Sequence, residues 1–134
     1  MNSTPQSFES TGKTILIIDD EPAIREVTRR MLEYHGFKVF VAVDGLDGVS
    51  EFMTRKDEID VVISDMVMPN MDGPTAMKTI ASVAPDLVMV AVSGHHTNSM
   101  FDEARAARVR HFLKKPFDTA TLLSTIHMAL ATAV

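Results

Sequence analysis

A chain of 134 residues, 46% hydrophobic and 23% charged, has the composition of one globular domain, long enough to bury a core and too short for two full domains side by side. Its net charge of −5 argues against general affinity for nucleic acid or acidic membranes, and the absence of cysteine excludes disulfides, thiolate metal sites and cysteine catalysis. The longest unbroken apolar run, Leu87 to Val92, has six residues against the roughly 20 that a membrane helix needs. The polar start MNSTPQSFESTGK lacks the apolar stretch of a signal peptide, so a soluble, cytoplasmic protein is expected.

In chain order, residues 1–12 are rich in Ser, Thr, Gly and Gln without an apolar period and read as a flexible leader, leaving 13–134 as the domain. Short apolar runs then alternate with segments of helical period: TILII, FKVFVAV, VVIS, LVMVAV and HFL are the strand candidates. Because they are continuous apolar runs, the reading is an α/β fold with a doubly wound five-stranded parallel sheet flanked by helices. Pro22 suits a first helical turn, and Ile24, Val27, Met31 and Leu32 are expected on the buried face until His35 and Gly36 stop that helix. Asp44 is a cap for the second helix, Pro74 opens the third, and Asp118 caps the last, whose buried stripe is Leu122, Leu123, Ile126 and Leu130.

In such a sheet the ligand site lies beyond the carboxyl ends of the strands. The residues that end the apolar runs are Asp19 and Asp20, Asp65, Ser93 and Lys115. Adjacent acids at the end of a dry strand repel one another and lose hydration, a cost that a cation offsets. Together these groups suit phosphoryl transfer to a carboxylate. Asp65 is the candidate nucleophile, Asp19 and Asp20 are candidate ligands for Mg²⁺ together with the carbonyl just after Asp65, and Lys115 and Ser93 are placed to hold phosphoryl oxygens. Singly each signal is weak: Asp19 and Asp20 also read as a helix-capping pair, Asp65 as a turn residue, and Ser93 as a local hydrogen-bonding group. Their joint order carries the argument.

The segments IIDDEPA, VVISDMVMPNMDGP, AVSGHH and HFLKKPF, in this order and spacing, resemble the receiver domain of two-component response regulators, stand-alone chemotaxis regulators among them. The resemblance covers the chain from about Lys13 onward. It implies a flavodoxin-like receiver fold with five helices and Asp65 as phosphoacceptor. It implies that Asp19, Asp20, Asp65 and the Val67 carbonyl bind Mg²⁺, that Ser93 and Phe112 are switch residues, that Lys115 pairs with the phosphate, and that the Lys115–Pro116 bond is cis. It implies a phosphoacceptor rather than a true enzyme, with Mg²⁺-dependent self-phosphorylation and autodephosphorylation. The implied donors are a histidine kinase or a histidine phosphotransfer protein. Output is expected through a downstream protein, or self-association, at the face of the fourth helix, fifth strand and fifth helix, with Met100 and Phe101 on it and no direct contact with nucleic acid or membrane. The chain departs from the family at Arg108 and Val109, where a Gly-Ala pair is common.

Other features have plainer readings. His95 and His96 border the expected phosphate pocket rather than bind a transition metal. Arg105, Arg108, Arg110 and Lys114 read as a solvated face. Met31, Met53, Met77 and Met128 are expected to fill gaps in the core. Two rivals stay open beside the stand-alone receiver: a receiver module of a hybrid kinase or larger regulator, and a Mg²⁺-dependent phosphohydrolase working through an aspartyl phosphate. The hydrolase is disfavoured by the lack of an Asp-x-Asp pair and of a cap-sized insertion.

Overall fold

The computed structural model describes residues 12–94 and 98–132; most of the expected leader, and the His95 and His96 readings, lie outside them. The chain runs β1 (Thr14–Ile18), α1 (Pro22–Tyr34), β2 (Lys38–Ala42), α2 (Gly45–Arg55), β3 (Val61–Asp65), α3 (Gly73–Val83), β4 (Val88–Ser93), α4 (Asn98–Ala106), β5 (His111–Lys114) and α5 (Thr119–Ala131). All strands are parallel in the order β2-β1-β3-β4-β5, with Ile18 opposite Ala42 and Ser64, Asp65 opposite Val92, and Ser93 opposite Lys114. The order reverses between β1 and β3, which opens a crevice at their carboxyl ends.

Alternate residues of the central strands face opposite layers. Leu16, Ile18, Val62, Met89 and Ala91 pack with Phe52 of α2, Met77 and Ile80 of α3 and Ala104 of α4. Ile15, Ile17, Val61, Ile63, Val90 and Val92 pack with Leu32 of α1 and with Leu122, Leu123 and Ile126 of α5. Burying both faces explains why these strands read as unbroken apolar runs. Among the described residues no helix is long and apolar enough to cross a membrane.

Helix ends follow the expected chemistry. Asp44 and Asp118 cap α2 and α5 by accepting the amides of Asp47 and Thr121, each two to three positions into the helix. Pro74 lies in the first turn of α3, whose cap is Asp72. Two details differ from the sequence reading. Val27 is 51% exposed and Thr28 is buried in its place, because the inward row of α1 runs Ile24, Thr28, Leu32 at four-residue steps. Of the four methionines expected in the core, Met77 is buried, Met31 is half-buried, and Met53 and Met128 are exposed, while Met66, Met68 and Met89 of the strands and loops are buried instead.

α1 and α4 stop in the same way. After α1, Gly36 has φ +90° and the amides of Gly36 and Phe37 return to the carbonyls of Glu33 and Leu32. After α4, Arg108 has φ +72° and the amides of Arg108 and Val109 return to Arg105 and Ala104. This paired return is the left-handed helix stop that glycine occupies without a steric penalty. Arg108→Gly is therefore expected to raise stability by about 0.5–1 kcal/mol, relief of the left-handed strain exceeding the added freedom of the unfolded chain. Urea unfolding should show a higher midpoint at unchanged slope. A lower midpoint would mean that the Arg108 side chain stabilises the fold by more than its backbone costs.

Candidate functional site

Three strand ends, far apart in sequence, deliver side chains to one point on the carboxyl edge of the sheet. Asp19 leaves β1 with its amide still bonded to the Ala42 carbonyl at 3.2 Å, and its Oδ1 accepts the Glu21 amide at 2.9 Å. Arg25 of α1 donates to the Asp19 carbonyl at 2.7 Å, fixing the turn between strand and helix. Asp65 ends β3, and the Met66 amide prolongs the ladder to the Val92 carbonyl at 3.1 Å. Lys115 follows β5, its amide held by the Ser93 carbonyl at 2.7 Å, and the Lys115–Pro116 bond is cis.

The ammonium of Lys115 sits among carboxylates. Its Nζ lies 2.9 Å from Asp65 Oδ2, 2.8 Å from Glu21 Oε1 and 3.4 Å from Asp19 Oδ2. Burial by itself lowers the Lys115 pKa, but its hydrogen bonds to Glu21 and Asp65 and the charges of Asp65 and Asp19 outweigh it, so the ammonium is held above the ordinary lysine value. Asp19 is pushed up: burial leads, the Glu21 amide and Lys115 oppose it, and Asp65 adds repulsion. A cluster that combines burial with like charge in this way is where a cation or a transferred group lowers the energy.

One carboxylate oxygen from each of Asp19, Glu21 and Asp65 lies within 4.8 Å of the other two. Glu21 stands third in the acidic run and escaped assignment in the sequence, although its proximity to Lys115 makes it part of the cluster. Asp20 is half-buried, lies outside that group, and has no hydrogen-bond or ion-pair partner among the described residues. Val67 is exposed, with its amide 3.5 Å from Asp65 Oδ1. Ser93 is only 6% exposed, and its hydroxyl has no partner among the described residues. Lys114 is exposed and takes no part.

The loop after Asp65 is closely built. The Gly73 amide returns to the Met66 carbonyl at 2.9 Å, and Asn70 donates to the Asp44 carboxylate at 2.8 Å. A Cβ on Gly73 would lie 2.0 Å from the Asp65 carbonyl oxygen and 2.7 Å from the Met66 Cα. Both are backbone atoms that no rotamer change moves aside. Gly73→Ala is expected to cost about 2–3 kcal/mol and to displace Asp65 from Lys115. Urea unfolding and the amide shifts of Asp65 and Lys115 check this, and an unfolding midpoint equal to that of the parent chain would contradict it.

Farther along β5, Phe112 is half-buried against Phe101 of α4, with ring centroids 5.3 Å apart. The Arg105 guanidinium lies over both rings, 5.3 Å from Phe112 and 5.7 Å from Phe101. Met100 is also half-buried, so the expected partner-facing pair packs partly on the core.

Comparison with known proteins agrees with this geometry. The sequence profile described as the response regulator receiver domain matches residues 15–127. Protein PilH of Pseudomonas aeruginosa is 36% identical over 121 residues, covering 87% of this chain and 97% of PilH. The sensor kinase CckA of Brucella abortus is 33% identical over 117 residues, covering 87% of this chain, which spans only 12% of CckA. A response regulator receiver domain protein of Clostridium thermocellum superposes with a TM-score of 0.83 at 29% identity, covering 89% of this chain and 94% of that one. An acid-lined crevice at the switch point of a five-stranded sheet, in a sequence that the profile spans almost throughout, makes this chain a member of the response regulator receiver domain family, the phosphorylatable switch of two-component signalling.

Proposed function

We propose that Asp65 is the phosphoacceptor of this switch, that residues 13–134 form the working unit, and that the phosphoryl group comes from a phosphohistidine of a histidine kinase or phosphotransfer protein. The observation that carries the reading is the meeting of Lys115 with Asp65 at 2.9 Å, across 50 residues of sequence, at the point where Asp19 also arrives. Among the described residues, Asp65 Oδ2 is engaged by Lys115, whereas Oδ1 has only the long approach of the Val67 amide. Oδ1 is therefore the oxygen free to attack. Its bond to phosphorus forms as the phosphorus–nitrogen bond of the donor breaks, and the imidazole leaves with a proton from solvent.

Lys115 and the buried Ser93 hydroxyl donate hydrogen bonds to the phosphoryl oxygens, compensating charge that would otherwise face Asp19 and Glu21. Receiver domains bind Mg²⁺ at an acidic pocket, and the oxygen donors gathered here fit a hard cation. Asp19, Asp20, Asp65 and the Val67 carbonyl are the proposed ligands. When bound, the ion neutralises carboxylates and phosphoryl oxygens together. Self-phosphorylation from small donors and spontaneous loss of the phosphoryl group belong to the same proposal.

Output is assigned to the face of α4, β5 and α5. Phosphorylation adds close to two negative charges, which Ser93 and Lys115 follow by moving the ends of β4 and β5, next to Phe112. The ring already packs on α4 under Arg105, so a shift of β5 is felt on that face, where a target protein or a second copy binds. The test is incubation with a small phosphodonor, with and without Mg²⁺, followed by mass and free-phosphate measurement. One phosphoryl group per chain, only with Mg²⁺, supports the proposal. Continuous turnover of phosphate esters or no adduct at all contradicts it.

A further inference from the structure

We propose that the cleft between the end of α5 and the amino-terminal ends of β4 and β5, on the opposite edge of the sheet from Asp65, binds a small organic anion through a phosphate or carboxylate head. The cavity has a volume of about 260 Å³. Val88 and Ala129 border it from the side of α5, Leu87 and Met89 reach it from the amino-terminal end of β4 while packing on the opposite layer, and Arg108, Arg110 and Asp86 contribute charge. Among the described residues, two guanidiniums stand against one carboxylate in the cleft.

The two arginines stand apart from the others. Arg25, Arg29, Arg30, Arg55 and Arg105 each have a hydrogen-bond or ion-pair partner. Neither Arg108 nor Arg110 has a side-chain partner among the described residues, and both line the same cavity. Guanidinium forks that find no acid within the fold are suited to bidentate capture of an external phosphate or carboxylate.

The backbone is an independent observation. Arg108 occupies the left-handed helix stop that Gly36 fills after α1, so the chain bears a backbone cost at a residue that lines the cleft. Strain kept at a residue that lines a cavity is a mark of use. The wall is also fixed. The Thr132 hydroxyl approaches the Met128 and Ala129 carbonyls at 3.1 and 3.2 Å, and His111 Nε2 lies 3.1 Å from the same oxygen. The contact between His111 Nε2 and the Thr132 hydroxyl ties β5 to the end of α5.

The test is an amide-shift titration of the full chain with phenyl phosphate and with benzoate, in chelator so that no metal-dependent chemistry occurs at Asp65. Benzyl alcohol is the uncharged control. Saturable shifts are expected at Met89, Arg110, His111 and Thr132 with at least one anion and not with the alcohol, and the tighter probe identifies the head group. Arg108→Gly combined with Arg110→Ala should weaken that binding by roughly tenfold or more, while the variant still takes one phosphoryl group from a small donor with Mg²⁺. Arg108→Gly alone is expected to fold at least as stably as the parent, so a failed titration in it is not a folding failure. Equal affinity in the double variant, shifts confined to the surroundings of Lys115, or no saturable shift with either anion would overturn the proposal.

Discussion

Lys115→Ala is expected to destabilise the metal-free protein by about 2–3 kcal/mol and to slow phosphorylation by on the order of 100-fold or more. Lys115 is, among the described residues, the cation that contacts the side chains of Asp19, Glu21 and Asp65, and it is 19% exposed. Its removal leaves carboxylates at 4% and 6% residue exposure, Asp19 and Asp65, facing each other without compensation. Mg²⁺ should restore much of the lost stability, because a ligand that binds only the folded state stabilises it by mass action. The phosphorylation rate should stay low, since the ammonium that meets the phosphoryl group is gone. Lys114→Ala, at the exposed last residue of β5, should change stability by less than about 0.5 kcal/mol. Urea unfolding and the rate of phosphoryl incorporation compare the two, and equal effects, or a larger loss from Lys114→Ala, would undo the assignment of the lysine.

Asp19→Asn is expected to have opposite effects on stability and on metal response. The Asp19 pKa is raised in the fold, chiefly by burial. For an acid so shifted, the stabilising proton is fully held below the unfolded value and is lost as pH rises through the folded one, so at neutral pH the ionised side chain costs stability. An uncharged asparagine keeps an oxygen for the Glu21 amide and removes that cost, and the metal-free variant should gain on the order of 1 kcal/mol at pH 7. The gain should vanish at low pH, where Asp19 is protonated in both states. Mg²⁺ should raise the Tm of the parent chain and leave that of the variant nearly unchanged, with phosphorylation slowed by roughly 100-fold. A variant less stable than the parent without metal, or one that responds equally to Mg²⁺, would remove Asp19 from the metal site.

Much of this was legible in the sequence, for reasons particular residues make plain. Parallel strands buried on both faces disfavour charged groups except at their ends, so Asp19, Asp65, Ser93 and Lys115 stood out against β1, β3, β4 and β5, and the parallel order then brings those ends to one edge. Caps such as Asp44 and Asp118 are local and depend on a few adjacent residues. What the sequence concealed depends on angle and distance. Val27 and Thr28 differ by about 100° around α1, and hydrophobicity favours the wrong one of the two. Glu21 joins the cluster through a partner 94 residues away. The clamp of Arg105 over Phe101 and Phe112 needs α4 and β5 to be in contact, which no local pattern encodes. Arg108 was visible as a departure from a common glycine, and its left-handed backbone is the physical content of that departure.

The most direct measurement is to locate the phosphoryl group. The chain would be phosphorylated by a small donor in Mg²⁺, the acyl phosphate trapped by borohydride reduction, and the reduced residue found by peptide mass spectrometry. Asp65 should be the modified residue, at close to one group per chain, with Asp65→Asn folded and unlabelled. Reduction at Asp19 or Asp20, or equal labelling of Asp65→Asn, would contradict the assignment of Asp65 as the phosphoacceptor.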